Sequence, residues 1–562
     1  MTAILTKYPG PCVSCEAYVP AKGPNQGFAV KEADGWKRYC RLCAPEKPQI
    51  ERKLTKDGRF YTPFDKENLD LIRSIPGAWF DRKNVCWQVS LKEGDRARLL
   101  EIARSLHADI DPDLEHIELS TQSKDAANKG LYSFQIQGVD WLSKGNLRLL
   151  ADDMGLGKTI QTIMALPKDA YALAIVPSCV KYNWKKEIEK WRPDLSVSII
   201  KNTKSFRLPG SGEVVITNYE TLPDYLEPKK ISETSKPWEV MVPWPNELMA
   251  NHAKNITLIV DEAQRVKNYK TNRAKRIKGL AMSVKNVWAL TGTPLENRPE
   301  DLYGILESLQ MQMKVFGGWS KFVGYMNGMK NRWGGYDWGN PSPIVPELLR
   351  RVMLRRKREE VLPDLPTKTY SYNKVDLSKE LQTSMDNLWS RFESAIKEKN
   401  LPPFEEFSEI RARLASSRID AVIEMVEDHE EDNVPLVVFS AHLDPLNKLA
   451  ERDGWAKITG DVSSDKRQQV VDDFQSGRLK GVAVSIKAGG VGITLTRAWK
   501  AIFVDMDWVP GANQQAEDRL CRIGQENKVE IVRMVSDHPL DIHVLELIEW
   551  KMKLIEQAVE KS

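Results

Sequence analysis

Between residues 131 and 535, short apolar runs recur along the chain, separated by stretches long enough to form a helix. Runs at 147–151, 171–176, 213–217, 257–260 and 287–290 make one series. Runs at 436–439, 481–484, 501–504 and 530–535 make a second. Apolar runs without polar alternation predict strands buried on both faces, and helix-length spacers predict the crossovers of a parallel sheet. Residues 296–430, between the two series, read as mainly helical and charged, with an aromatic- and Gly-rich patch at 316–340. The pattern therefore predicts two α/β lobes joined by a helical middle.

Upstream the rhythm changes. Residues 52–106 combine strands expected at 59–64, 77–80 and 85–89 with helices expected at 66–74 and 92–106, which makes a compact α+β module. Residues 107–128 are polar and acidic and read as a linker. The first fifty residues are rich in Pro and Gly, with short strands expected at 27–30 and 36–39. The domain boundaries that follow are 1–50, 51–110, 125–310, 311–430, 431–540 and a C-terminal helix at 541–562.

Composition narrows the class of protein. In 562 residues, 41% are hydrophobic and 28% charged, which fits a globular chain and excludes a fibrous or disordered one. No apolar run approaches the ~18 residues of a membrane span, and the first ten residues lack the layout of a secretory signal. The net charge is only +4, but residues 1–104 hold 19 Lys and Arg against 13 Asp and Glu. An electrostatic docking arm therefore belongs in the N-terminal fifth. Of seven cysteines, four form the pairs Cys12/Cys15 and Cys40/Cys43. Two such knuckles complete a tetrahedral zinc site, and each is too small to fold without the metal.

The candidate chemistry sits where the apolar runs end. After the run at 147–151 comes Asp152, Asp153, Met154, Gly155, Leu156, Gly157, Lys158 and Thr159, then a helix expected at 160–165. Glycines there let backbone N–H groups wrap phosphate oxygens at a helix N-terminus. Lys158 is suited to the β/γ-phosphates and the Thr159 hydroxyl to magnesium. The generic motif wants Gly where Asp152 stands. A buried strand then delivers Asp261 and Glu262, one to hold magnesium and the other to orient or deprotonate water. Gln135 offers the paired donor and acceptor that read an adenine. In the second lobe Gly489, Gly490 and Gly492 allow close approach to a phosphate or to the facing lobe. Arg519 and Arg522, three apart, are expected on one helical face as arginine fingers.

In order, the segments FQIQGV (134–139), LADDMGLGKT (150–159), VPSCVKYNW (176–184), ITNYETL (216–222), DEAQRVKN (261–268), LTGTPLEN (290–297), AGGVGITLT (488–496) and FVDMDWVPGANQQAEDRLCRIGQ (503–525) resemble the Swi/Snf-type superfamily-two helicases and DNA translocases. The resemblance spans about three-quarters of the chain. The connection MLRRKREEVLPDLPTK (353–368) resembles the annealing-helicase branch, and the module at 51–110, with Trp79 and Trp87, is similar to the HARP domain of that branch, a DNA-targeting module. The family implies two RecA-like lobes with ATP and magnesium between them and duplex or forked DNA across the top. It assigns nucleotide contact to Gln525 as well, and DNA contact to Ser178, Asn218, Ser440, Ser485 and Lys487. Gln264 stands where His is more common, Ile493 where Asn or Asp is usual, Val509 where Asn is usual, and Cys521 where His is frequent. None of these departures touches Lys158, Glu262, Arg519 or Arg522.

The expectation is a monomeric DNA-dependent ATPase that tracks along duplex or forked DNA and remodels it, with no membrane partner. It is expected in a bacterial or phage-infected cytoplasm, or in a nucleus if the source is eukaryotic. The rival readings are a restriction-complex motor, a strand-separating helicase, and an inactive adaptor. The intact Lys158, Glu262 and arginine pair argue against the last.

Overall fold

The computed structural model describes residues 119–560 except 234, 237–238, 332–333, 363–365, 398–403, 490–492 and 523. Before 119 it describes 2–5, 10–13, 18–19, 28–32, 35–39, 52–55, 59–62, 72, 78–81, 86–89, 99–100, 102–106 and 108–111. The chain divides into two units, Met1–Glu118 and Leu119–Ser562.

The first unit holds two main sheets. Thr2–Leu5, Phe28–Glu32 and Gly35–Tyr39 pair antiparallel. The second sheet runs Asp109–Ile110, Lys53–Leu54, Arg59–Tyr61, Cys86–Gln88 and Trp79–Asp81, over a core of Leu54, Phe60, Ile72, Trp87, Leu99 and Ile102. Phe60 and Trp87 are therefore core residues, packed with Phe80, whose ring meets Trp87 edge-on at 5.5 Å. The side chain of Trp79 lies outside the described residues.

In the second unit both predicted sheets form, and every pairing in them is parallel. The first lobe has seven strands in the order Ser196–Ile199, Glu213–Thr217, Tyr171–Ile175, Thr257–Asp261, Asn286–Leu290, Leu147–Leu150, Met353–Leu354. Alternate residues face opposite cores. Leu149, Leu258 and Val260 pack on one side, and Leu150, Ile259 and Leu290 on the other with Ile163, Trp184 and Ile188. The second lobe has six strands in the order Lys368–Lys374, Val529–Val535, Lys500–Phe503, Leu436–Ser440, Gly481–Ser485, Trp455–Ile458. In a parallel sheet all strand C-termini share one edge, so the residues predicted to carry chemistry converge on one rim of each lobe.

Two expectations need correction, and the expected C-terminal helix is present with an added detail. The linker expected to run to 128 ends earlier, because Thr121–Asn128 is a helix capped by Ser120 and packed on helix Ser133–Ser143. Asp140 fixes it by accepting from the Ser120 N–H and the Ser123 hydroxyl. The middle segment is not purely helical. It gives Met353–Leu354 to the first sheet and Lys368–Lys374 to the second, and its aromatic patch forms the hairpin Gly328–Lys330/Tyr336–Trp338. The C-terminal helix starts at Pro539 and does not stay with the second lobe. Val544 and Ile548 pack in that lobe's core, while Ala558 and Val559, in the π-turn Glu556–Glu560 that follows, pack in the first lobe's core. Among the described residues no helix is long and apolar enough to cross a membrane.

Candidate active site

The phosphate loop leaves strand Leu147–Leu150 and enters helix Lys158–Ala165. Gly155 and Gly157 have φ of 84° and 74°, the left-handed region that favours glycine. A Cβ at Gly157 would also lie 2.6 Å from Gln135 Nε2. Lys158 Nζ donates to the carbonyls of Asp152 at 2.7 Å and Asp153 at 3.1 Å, so the ammonium is held inside the loop. Burial lowers the Lys158 pKa, while the charges of Asp152, Glu262, Asp153 and Asp261 oppose that fall.

Asp152, standing where the generic motif has Gly, does not face that loop interior. Its carboxylate is fully buried and takes a fork from Arg356, Nε at 2.9 Å and a second nitrogen at 2.5 Å, plus Gln161 Nε2 at 3.2 Å. Asp153 pairs with Arg355 at 3.1 Å and accepts the Arg358 backbone N–H at 3.0 Å. The arginines of 355–358 thus hold the loop from behind. In the sequence this run reads as a connection between lobes; the signal of its role is a cluster of cations beside a buried strand, which demands buried acids as partners.

Asp261 ends the buried strand Thr257–Asp261 and accepts from Trp184 Nε1 at 2.9 Å and from the Glu262 N–H at 2.9 Å. Burial, with the neighbouring Glu262 charge, pushes Asp261 up to about 7. Two adjacent carboxyls repel, and a cation shared between Asp261 and phosphate oxygens relieves that cost. Thr159 lines the same cleft, so this pair fits magnesium. Glu262 has φ of 54°, an uncommon backbone for a non-glycine residue and a form of strain that collects at functional sites. From Glu262 a chain of hydrogen bonds runs to the other lobe. Gln264 donates to Glu262 at 2.6 Å, Thr291 to Gln264 at 2.8 Å, the Thr293 N–H to Thr291 at 3.0 Å, and Gln515 to Thr293 at 3.2 Å. Gln264 therefore does link the acidic box to the interlobe turn.

Arg519 and Arg522 reach this cleft from the second lobe, though not on a helix. Helix Pro510–Glu517 ends before them, and both sit on the turns that follow. With Met154, Gly155, Lys158, Thr159, Trp184, Asp261, Glu262 and Thr494 they line a cavity of about 300 Å³. A Cβ at Gly155 would meet Arg522 Cγ at 3.4 Å, so the finger turn lies against the phosphate loop. Arg519 is only 2% exposed. Arg522 reaches the cavity wall, donates to Thr494 Oγ1 at 3.0 Å, and buries its Nε with no hydrogen-bond partner. Burial and the Arg519 charge push Arg522 down to about 9. Two crowded guanidiniums facing a carboxylate pair and a lysine make a site that favours a polyanion.

Other predicted residues are engaged elsewhere. The Gln135 amide accepts from the Tyr132 N–H at 3.1 Å and donates to the Leu156 carbonyl at 3.3 Å, supporting the loop. Gln525 donates to the carbonyls of Thr496, Ala498 and Leu520 within the second lobe and does not line the cavity. Ser440 is fully buried and its hydroxyl donates to Asp505 at 2.6 Å. Asn218 is bound by Lys181 at 3.0 Å and binds Glu220 at 2.7 Å. Ser178 and Lys487 are exposed on the short helical turns Ser178–Val180 and Ile486–Gly489 that follow their strands, and Ser485 is half-buried. Gly490 lies outside the described residues, as do Cys15, Cys40 and Cys43; Cys12 is buried. Among the described residues no group of three or more His, Cys, Asp or Glu is placed to hold a metal, so the zinc site gains no support.

Comparison with known proteins places these parts in a family. The SNF2-related domain matches residues 134–401 and the helicase conserved C-terminal domain residues 417–524. Human DNA annealing helicase and endonuclease ZRANB3 is 30% identical over 73% of this chain and 39% of its own. The Xenopus laevis SWI/SNF-related matrix-associated actin-dependent regulator of chromatin subfamily A-like protein 1 is 31% identical over 88% of this chain and 53% of its own. Its Caenorhabditis elegans homolog is 27% identical over 91% of this chain and 76% of its own. The chain thus spans about 39% to 53% of the first two relatives' lengths. All three relatives are eukaryotic, and the expected bacterial or phage source gains no support from them.

Proposed function

The chain belongs to the Swi/Snf-type superfamily-two helicases, near the annealing helicases, and from that premise we propose that it is a DNA-dependent ATPase that translocates on duplex or forked DNA and remodels it. The observation that carries this reading is the convergence of Lys158, Asp261 and Glu262 from one lobe with Arg519 and Arg522 from the other on one cavity. Hydrolysis there would need both lobes, so opening and closing of the cleft follows the nucleotide.

Each group has a task. The loop N–H groups and Lys158 bind the phosphates, Lys158 by exchanging the Asp152 and Asp153 carbonyls for phosphate oxygens. Glu262, held by Gln264, orients the attacking water and takes its proton. Magnesium, held by Thr159 and Asp261, would neutralise charge on the β- and γ-phosphates. Arg519 and Arg522 stabilise charge that grows on the transferred phosphoryl group. Exposed Ser178 and Lys487, on the short helical turns after their strands, suit contact with a DNA backbone, which positions the motor without reading sequence. Residues 1–104, with 19 Lys and Arg against 13 Asp and Glu, are the DNA-targeting part of this reading. A zinc at Cys12, Cys15, Cys40 and Cys43 would fold its first segment.

The test is steady-state ATPase activity of the full chain with single-stranded, duplex and forked DNA at one salt concentration. The reading expects stimulation by duplex or forked DNA that Glu262→Gln abolishes. No ATP turnover with any DNA refutes it. Elemental analysis checks the zinc separately.

A further inference from the structure

Arg358 is the one side chain among those described above that is bonded to the phosphate loop through its own residue and to the finger turn through its guanidinium. Its backbone N–H donates to Asp153 Oδ2 at 3.0 Å. Its guanidinium donates to Asp518 Oδ1 at 2.6 Å and to the Cys521 carbonyl. Asp518 adjoins Arg519 and Cys521 adjoins Arg522. The remainder of the anchorage is buried and paired. Arg358 is 7% exposed, Asp518 is 2% exposed, and Lys368 also reaches Asp518, at 2.7 Å, and Glu517, at 3.1 Å.

We propose that Arg358 is a positioning residue that sets the arginine turn according to the state of the phosphate loop, so that the fingers are aligned only when the loop is in its nucleotide-holding form. This rests on the ATPase reading above. The physical argument is one of short paths. A shift of Asp153 moves the Arg358 backbone, and the guanidinium at the other end of the same residue holds two points on a turn of five residues, 518–522. A planar fork fixes both distance and orientation, which a point charge does not. Lys368 shares the acid but bonds no residue of the phosphate loop, so it anchors the turn without reporting on that loop.

That difference supplies the test. Arg358→Met removes the fork while Lys368 still neutralises Asp518, so no buried acid is left unpaired. Lys368→Met removes a cation from the same acid and leaves the fork in place. With saturating duplex DNA, Arg358→Met is expected to lower kcat at least tenfold with KM for ATP changed less than threefold. It should weaken ADP–aluminium fluoride binding by about the same factor as kcat while leaving binding of a non-hydrolysable ATP analogue within threefold. Arg358→Lys is expected to recover little, because an ammonium cannot hold both points. Lys368→Met is expected to keep kcat within threefold despite a similar loss of thermal stability. Equal losses of kcat in Arg358→Met and Lys368→Met, or parallel losses of ATP-analogue and fluoride-complex binding, overturn the proposal. If Arg358→Met does not fold, Arg358→Lys carries the same comparison against Lys368→Met, since it keeps a cation beside Asp518 and removes the fork. A wild-type protein without turnover defeats the ATPase reading itself, whereas an active wild type with an unaffected Arg358→Met defeats only this inference.

Discussion

Replacing Arg522 with Met separates what the arginine pair costs from what it does. In the wild type, burial and the adjacent Arg519 charge bring Arg522 down to about 9. At ~1.4 kcal/mol per pH unit, that fall is about 5 kcal/mol for a fully buried group. The side chain reaches the cavity wall, and solvent there reduces the penalty to about 2 kcal/mol. Met keeps the volume and removes the charge, but forfeits the hydrogen bond to Thr494, a loss of about 1 kcal/mol. The nucleotide-free motor should therefore be stabilised by about 1 kcal/mol, a rise of about 2 °C in its thermal transition. The sign of the pH dependence follows from a folded pKa below the unfolded one. The penalty is fully present at neutral pH and is relieved as pH rises toward the ordinary arginine range, so the two melting curves should draw together in alkali. Turnover should fall by about 10³-fold or more, the range for arginine fingers. ATP should raise the wild-type transition more than the variant's, since the γ-phosphate relieves the crowding only when both arginines are present. Calorimetry with and without nucleotide, beside an ATPase assay, reads all of this. A variant that melts lower than wild type and hydrolyses within tenfold of it refutes the reasoning.

Other outcomes follow from the same geometry. Lys158→Ala should lose nucleotide affinity and turnover together, whereas Glu262→Gln should keep ATP bound and lose turnover; equilibrium binding and ATPase assays distinguish them. Gly279→Ala should destabilise the motor by about 1–3 kcal/mol, because its Cβ would lie 1.8 Å from the Leu226 carbonyl oxygen; an unchanged melting temperature would contradict that close approach. Glu213 is held down to about 2, chiefly by its hydrogen bond from Arg207. Its contribution is therefore present above pH 4.5 and lost as pH falls toward 2, and is no more than about 1 kcal/mol because Arg207 is half exposed. Glu213→Gln should accordingly cost stability at pH 7 by denaturant titration, with the gap narrowing below pH 4.5.

Which strands were legible has a physical pattern. The nine apolar runs in the motor all became strands with interior positions in their sheets. The four strands that hydrophobic patterning missed, Ser196–Ile199, Met353–Leu354, Lys368–Lys374 and Trp455–Ile458, are the four sheet edges. An edge strand has one paired side and less apolar demand, so its residues carry charge or polarity, as Lys368–Lys374 does with two lysines, a serine and a threonine. The site divides in the same way. Lys158, Asp261 and Glu262 follow strands whose ends are marked by an abrupt change from apolar to polar, and they were readable. Arg519 and Arg522 were readable as a pair but placed on the wrong element, since i, i+3 spacing does not tell a helix from the turns after it. The partners that fix the acids Asp152, Asp153 and Asp261, namely Arg355, Arg356, Arg358 and Trp184, lie 77 to 205 positions from what they hold. No local pattern reports such distances.

The route of the C-terminal helix changes how the two lobes can move. Two bodies joined at one flexible point keep three rotations. Here the chain passes between lobes twice, once through 355–368 and again where the helix leaves Ile548 in one core and delivers Val559 to the other. Two attachment points define a line, and the relative motion that leaves both intact is rotation about that line. The cleft is therefore tied at two places rather than one, and an opening that keeps both joins intact is a rotation about the line between them.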